Sequence, residues 1–301
     1  MADSTATIGR GATRRPARSG WVPYAYLAPA LLLYGGFLLF PLGRAAQYSL
    51  FDWDGLGEST FVGLDNYLEI IFDERLREAF WHALVLVFFF AVLPLVIGLL
   101  LAALLTRSQL RGLGFFRSVI FLPQVIAMVV VAVTWRQIYA PDGPLNGFLR
   151  MIGLGELARP WLGDYTFTLP AVGLIGTWVC TGLVTVLLMA GMSRVPRELY
   201  EAARLDGAGP VREFFAITLP TVRGEITVAL TLTIVAALKT FDLVYVTTSG
   251  GPGTSTTVPS YEIYRRAFQL GEVGVATAVG IVLTIVVFAI NAVVNAIGDK
   301  K

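Results

Sequence analysis

Residues 200–220 read YEAARLDGAGPVREFFAITLP, a charged stretch punctuated by glycine and proline, and long runs of Leu, Val, Ala and Phe lie on both sides of it. The flanking runs set the class of the molecule. Of the 301 residues 55% are hydrophobic and 15% charged, with a mean hydropathy of +0.69, which is too apolar for a water-soluble fold of this size. An integral membrane protein is the expectation, and the quoted stretch is then polar because it lies outside the bilayer. A net charge of +2, spread through short loops without a basic stripe, argues against a nucleic-acid partner. The one cysteine, Cys180, stands in an apolar run with no second cysteine for a disulfide and no partner for a metal site, and reads as packing.

A bilayer core takes about 20 apolar residues of helix. Charge-free windows lie at 21–42, 79–105, 118–135, 165–193 and 273–298. The first is too long for the apolar core of a signal peptide, and no A-x-A-like site follows it before Arg44, so it reads as a retained span. A sixth candidate, 226–248, holds only 13 uncharged residues, ITVALTLTIVAAL, before Lys239 and Asp242 interrupt it. Charge distribution decides for including it. With spans at about 21–42, 79–105, 118–139, 165–193, 226–248 and 273–298 and the N-terminus inside, the cytoplasmic segments carry 14 Arg and Lys and the outer loops eight. Omitting the fifth span would put Lys300 and Lys301 outside. The fold expected is therefore all-α and polytopic, with six transmembrane helices and both termini cytoplasmic. Residues 1–20, small, polar and basic, read as a disordered cytoplasmic tail, and 21–301 as the membrane domain.

The first outer loop, 44–79, carries eight acids, with Trp53 and Tyr67 in it and Trp81 just beyond as interfacial anchors. Within it LDNYLEIIFDERLREAF, 64–80, has apolar residues near helical spacing and suggests a short amphipathic helix on the membrane surface.

The segment quoted at the outset spells two short helices. Pro196 stands where a first helical residue tolerates a missing donor, RELYEAARLD follows, and Gly207 is the residue best able to take the left-handed stop. Pro210 opens a second helix, VREFFAITL, and Pro220 is expected to close it. Ala202 and Ala203 let another surface approach the backbone closely. Leu199, Leu205, Phe214 and Phe215 offer apolar anchors, and Glu201, Arg204 and Asp206 can make charge-assisted bonds at the rim.

The spacing Glu201-Ala202-Ala203, three residues, Gly207, nine residues, then Ile217-Thr218-Leu219-Pro220 resembles the EAA signature of the permease subunits of ABC importers. With FVGLDNY at 61–67, LDGAG at 205–209 and FDLVYVTTSGGPGTST at 241–256, nearly the whole chain after the tail is similar to the carbohydrate-importer permeases of the maltose-system membrane-subunit family. That resemblance implies the type I permease fold of ABC importers and a bacterial or archaeal cytoplasmic membrane. It also implies four kinds of partner: a second homologous permease, two ATP-binding subunits, an extracytoplasmic solute-binding protein, and a small-molecule sugar carried by alternating access. The segment 196–220 would be the coupling element that docks on an ATPase, with Glu201, Ala202, Ala203 and Gly207 as its core and Leu205 and Asp206 beside them.

The chain supplies no energy source of its own. A Walker A loop needs glycines, a lysine and then Ser or Thr, yet the only lysines are Lys239 after leucine, Lys300 after aspartate and Lys301. ATP and its magnesium are therefore expected on the partner ATPases, with no cofactor or metal on this chain and no catalytic residue. His82, the sole histidine, stands at the outer edge of the second span, where packing is preferred over proton transfer.

Polar residues at membrane depth mark candidate solute contacts. Lys239 and Asp242 are three apart, hence on one helix face; they form a structural ion pair or, with Thr240, line the solute path. Gln124 beside Pro123, and Gly176, Thr177 and Cys180 around Trp178, are further candidates, because glycine and proline interruptions point to midplane sites in transporters. Trp178 or Trp135 can supply an aromatic face for a sugar, although Trp135 beside Arg136 also suits an interfacial anchor. SGGPGTST at 249–256 has no lysine to make a phosphate cradle; with Gly250, Gly251 and Pro252 it reads as an outer loop near the docked binding protein. The alternative class is a self-contained secondary transporter or channel, which predicts inverted repeats and more embedded acids.

Overall fold

The computed structural model describes residues 22–107 and 112–298. The expected tail at 1–20 and Arg111, Lys300 and Lys301 lie outside the described residues. The chain divides into two units between Ala45 and Ala46. The first is dominated by one apolar helix, α1 (Tyr24–Tyr48), which runs just past the boundary and has a wider turn at Gly35–Leu39.

The second unit is helical apart from one small hairpin. In order it holds β1 (Phe51–Asp52), β2 (Thr60–Phe61), α2 (Asp65–Phe72), α3 (Glu74–Thr106), α4 (Leu113–Val125), α5 (Met128–Ile138), α6 (Pro144–Met151) and α7 (Thr168–Met192). There follow α8 (Arg197–Leu205), α9 (Pro210–Thr221), α10 (Arg223–Leu238), α11 (Asp242–Thr247), α12 (Pro259–Arg265) and α13 (Val273–Gly298). The strands pair antiparallel, Phe51 opposite Phe61. Among the described residues four helices, α1, α3, α7 and α13, are long and apolar enough to cross a membrane, and up to six spans result if each of two bent pairs, α4 with α5 and α9 with α10, counts as one. The chain is thus an all-α polytopic membrane protein.

Three sequence expectations change here. The surface helix expected over 64–80 is two elements: α2 ends at Phe72, and Asp73 accepts from the amides of Arg75 (2.8 Å) and Leu76 (3.2 Å) to cap α3. An acid that satisfies two orphan amides starts a new helix more firmly than the apolar spacing continues the old one. The span expected over 118–139 is α4 and α5, bent by 96° where Ile126 and Ala127 take extended backbone. The span over 226–248 is α10, then a break at Lys239–Phe241, then α11.

Prolines explain a second departure. Pro41, Pro94 and Pro220 each stand two residues past a wide, i→i+5 turn, at Gly35–Leu39, Phe88–Val92 and Phe214–Thr218. In these turns the amides of Phe40, Leu93 and Leu219 reach back to Gly35, Phe88 and Phe214. A proline inside an α-helix lacks the amide for the i−4 bond and its ring crowds that carbonyl. Widening the preceding turn resets the register, so that the proline sits near the start of a fresh run where no donor is needed. Hence Pro220 does not close α9; the helix runs on to Thr221 and bends by 69° at the buried Val222 into α10.

The core is organised around α7, most of whose residues are buried. Lipid gives helices no hydrophobic reason to associate, so close backbone approach and internal hydrogen bonds carry the packing. The glycines of α7 permit that approach. A Cβ on Gly182 would stand 2.3 Å from the Ile120 carbonyl oxygen of α4, and one on Gly176 would stand 2.0 Å from the ring of Phe90 in α3. One apolar cluster gathers Phe90, Val172, Ile175, Leu243 and Tyr261. A second, at the other end of α3 and α7, gathers Leu105, Leu188, Met192, Val222 and Ala229.

Candidate functional site

At the end of the bundle marked by Met192 and Val222, α8 and α9 form a helical hairpin. Pro196 is not the first helical residue but the one before it, with ψ 136°. α8 ends as the composition dictates. Gly207 takes φ +78°, its amide donates to the Arg204 carbonyl at 3.0 Å, and the Ala208 amide donates to the Ala203 carbonyl at 2.9 Å, the paired bonds of a Schellman stop. Gly209 precedes Pro210, which opens α9.

The residues singled out by sequence lie on the exposed side of this hairpin. Glu201, Ala202, Asp206 and Gly207 are exposed, Ala203 is half-buried, and Leu205 is 90% exposed. Val211 and Phe215 of α9 add apolar surface. Such a face offers small residues for close approach, apolar anchors, and two acids at the edge. Arg204 does not belong with those acids: its guanidinium donates to Glu213 at 2.9 Å, and Glu213 is only 2% exposed. The hydrogen bond from Arg204 to Glu213, then the charge of Glu213, holds the guanidinium's pKa above its ordinary value. The Tyr200 and Thr218 hydroxyls meet at 2.9 Å. At the root of the hairpin Arg194 reaches Glu225 at 3.3 Å, linking the segment after α7 to α10.

At mid-helix the residues proposed for a solute path fall into two groups. Gly176, Thr177 and Cys180 are buried in the packing of α7. Thr177 donates to the Phe89 carbonyl at 2.6 Å. The wide turn diverts the amide of Leu93 to Phe88, so Phe89 has lost its helical donor and the hydroxyl replaces it. Gln124, Lys239 and Asp242 are exposed, and Thr240 is buried. Lys239 closes α10 and Asp242 opens α11, so they do not share one helix, and no ion pair joins them. The break supplies the reason: the i, i+3 rule applies only within one helix. Trp135 and Trp178 pack edge to face at 5.6 Å. Phe241 stacks on Tyr245 at 5.2 Å, and both meet Tyr264. That aromatic group was missed in the sequence because its members come from segments about 20 residues apart.

The far end of the bundle is held by polar ties. His82 Nδ1 lies 2.9 Å from the Thr257 carbonyl, and Thr254 donates to Glu78 at 2.6 Å, so the loop 249–257 is fastened to α3. Gly250 of this loop has φ +83° and faces Tyr261, Gly251 is half-buried, and the Gly251–Pro252 peptide is cis. Beside it Arg266, 3% exposed, meets Glu69, Asp73 and Glu272, with Glu262 at 3.6 Å. Burial works against the charge on Arg266, but its hydrogen bond to Glu69 and the surrounding acids hold its pKa above the ordinary value. Glu262, fully buried, also takes Arg75 at 2.6 Å and Arg265 at 3.2 Å. The signal for this network was present as opposite charges in the outer loops, without a pattern to join them.

Comparison with known proteins gives the architecture a family. The model of the binding-protein-dependent transport system inner membrane component matches residues 21–300. A probable ABC transporter permease, YurN of Bacillus subtilis, is 39% identical over 280 residues, covering 90% of this chain and 93% of that protein. The diacetylchitobiose uptake system permease NgcF of Streptomyces coelicolor is 34% identical over 284 residues, covering 90% and 80%. Among solved structures, a chain of a bacterial ABC transporter that imports the acidic polysaccharide alginate aligns with TM-score 0.80 at 25% identity, covering 93% of this chain and 96% of that one. A helical bundle with an exposed hairpin at one end, matched nearly end to end by these permeases, belongs to the family of inner membrane components of binding-protein-dependent transport systems.

Proposed function

We propose that this chain is the membrane-spanning subunit of an ATP-driven carbohydrate importer, and that it takes its energy from separate ATPase subunits gripping α8. The exposed α8–α9 hairpin carries this reading. Its outward side combines Glu201, Ala202, Leu205 and Asp206 on a helix that ends in a fixed stop at Gly207, a shape that fits a cleft and can be pushed as a body. Docking drives transport only if the ATPase binds the hairpin differently with and without ATP. The carbohydrate assignment is supported by relatives whose named solutes are diacetylchitobiose and alginate. In the full assembly a second permease, two ATPases and an extracytoplasmic binding protein join it in a bacterial or archaeal cytoplasmic membrane, with both termini and the hairpin inside. The break at Lys239–Phe241 and the exposed Gln124, Lys239 and Asp242 are the parts of this chain best suited to face a wet path, because charge is costly against lipid.

Affinity purification of the tagged chain from its native membrane tests the proposal. An ATPase co-purifies with the wild type and is lost from Glu201→Ala or Gly207→Pro, and uptake into proteoliposomes requires ATP. Solute movement by the chain purified alone, without an ATPase, would refute it.

A further inference from the structure

The hairpin has an open joint and side-chain braces across it. Gly207 and Gly209 join α8 to α9, and at neither would a Cβ meet another atom, so no side chain packs on the connection, and the paired bonds of Gly207 and Ala208 both return to α8. Further along, side chains tie the two helices together: Arg204 to Glu213 at 2.9 Å, and Tyr200 to Thr218 at 2.9 Å.

The registers of the two helices make this possible. On α8, residues 200 and 204 are four apart and share a face. On α9 their partners, 213 and 218, are five apart. In a regular α-helix that offset would turn Thr218 about 140° away from Glu213. The wide turn at Phe214–Thr218 removes most of that difference and brings both onto the face that meets α8. Both α9 partners are buried, Glu213 at 2% and Thr218 at 3% exposure. Beyond the braces α9 continues through Val222 into α10, whose residues pack in both the Val222 cluster and the Ile234–Leu238 cluster with α3 and α13.

We propose that Glu213 and Thr218 are positioning residues that lock α8 to α9, so that a displacement of α8 is handed to α10 instead of being absorbed at Gly207–Gly209. The inference rests on the reading of α8 as the helix an ATPase grips, and adds which residues carry its motion inward. Neither residue needs to touch the ATPase.

Paired spin labels test it in the reconstituted complex with its ATPases and binding protein. They are placed by Glu198→Cys on α8 and Val228→Cys on α10, both exposed, in a Cys180→Ala background. The wild-type brace gives one narrow distance that is the same in nucleotide-free and ATP–vanadate-trapped states. Glu213→Gln broadens that distribution and lowers ATPase stimulation by the binding protein roughly three- to tenfold, while the ATPase still co-purifies. Tyr200→Phe, a milder change, broadens it less, and the charge exchange Arg204→Glu with Glu213→Arg restores the narrow distance. A Glu213→Gln distribution as narrow as wild type overturns the proposal. So does a wild-type distance that shifts between nucleotide states. If no ATPase binds the wild-type chain, the functional reading fails on its own, and the wild-type against Glu213→Gln comparison in the purified permease still decides the brace.

Discussion

Thr177 is one hydroxyl that fills the place of a missing amide. Its bond to the Phe89 carbonyl exists because Pro94 forces a wide turn in the facing helix, and Gly176 beside it leaves room for Phe90. Both residues serve the seam between α3 and α7, and their substitution is expected to act on stability. Gly176→Leu puts a side chain where the Phe90 ring already stands and costs about 1–3 kcal/mol by overpacking. Thr177→Val leaves the Phe89 carbonyl without a donor and costs about 1 kcal/mol, at the low end because polar bonds between membrane helices are worth little more. The thermal midpoint of the purified complex falls in both variants, more in the first, while the KM for solute uptake by Thr177→Val stays at the wild-type value. A raised KM with an unchanged midpoint would instead put Thr177 in the solute path. At this scale the sequence names candidates without placing them. Gly176, Thr177 and Cys180 stood out as polar or small residues in an apolar run, but whether such a residue faces a neighbouring backbone or a wet path depends on the helix opposite.

Among the elements, the clearest reading was where helices stop. Gly207 and Pro210 act through their own backbones, so the end of α8 and the start of α9 were legible from composition. Pro220 was misread for a related reason. The rule that proline ends a helix assumes a rigid i−4 register, and here Phe214–Thr218 relaxes the register ahead of it. The same device at Pro41 and Pro94 keeps α1 and α3 continuous. Pro220→Ala restores an amide that can reach the Ala216 carbonyl, closes the wide turn, and rotates Thr218 by about 100° relative to Glu213. A double-mutant cycle detects this. Tyr200→Phe is expected to cost about 1 kcal/mol in the wild type and close to nothing beside Pro220→Ala. Equal costs in both backgrounds would mean that the register does not set the Tyr200–Thr218 bond. The bend at Ile126–Ala127 had one sign, Pro123 three residues before it, but the break at Lys239–Phe241 was not legible, since no proline or glycine stands there.

For the whole molecule, one buried cation ties the far end together. Arg266 joins α2, the cap of α3 and the start of α13 through Glu69, Asp73 and Glu272. Its pKa is held above the ordinary arginine value, so its contribution is fully present at every working pH and is lost only as pH rises through that elevated value. Arg266→Ala removes the cation and leaves the acids facing one another. The expected loss is about 3 kcal/mol, the lower end for a broken buried pair because Glu69 and Glu272 reach solvent. Arg266→Lys keeps a charge without the forked geometry and loses less. The midpoint of thermal unfolding, followed by fluorescence-detected size exclusion, orders the three proteins wild type, lysine, alanine; an alanine variant as stable as wild type would show that the network is not a tie. Apolar windows had already pointed to the all-α membrane class from the sequence, because hydropathy is a sum over many residues. The network needed the fold, since Glu69 and Arg266 are 197 positions apart.

The packing of α7 also bears on how the molecule is built during synthesis. It packs most closely on α3 and α4, through Gly176 against the Phe90 ring and Gly182 against the Ile120 carbonyl, and both partners lie earlier in the chain. As α7 leaves the ribosome, its principal neighbours are already in the membrane, and that seam can close before α8 to α13 exist. The hairpin therefore follows, in chain order, the helices that make this seam, and the later helices α10 and α13 pack against what precedes them.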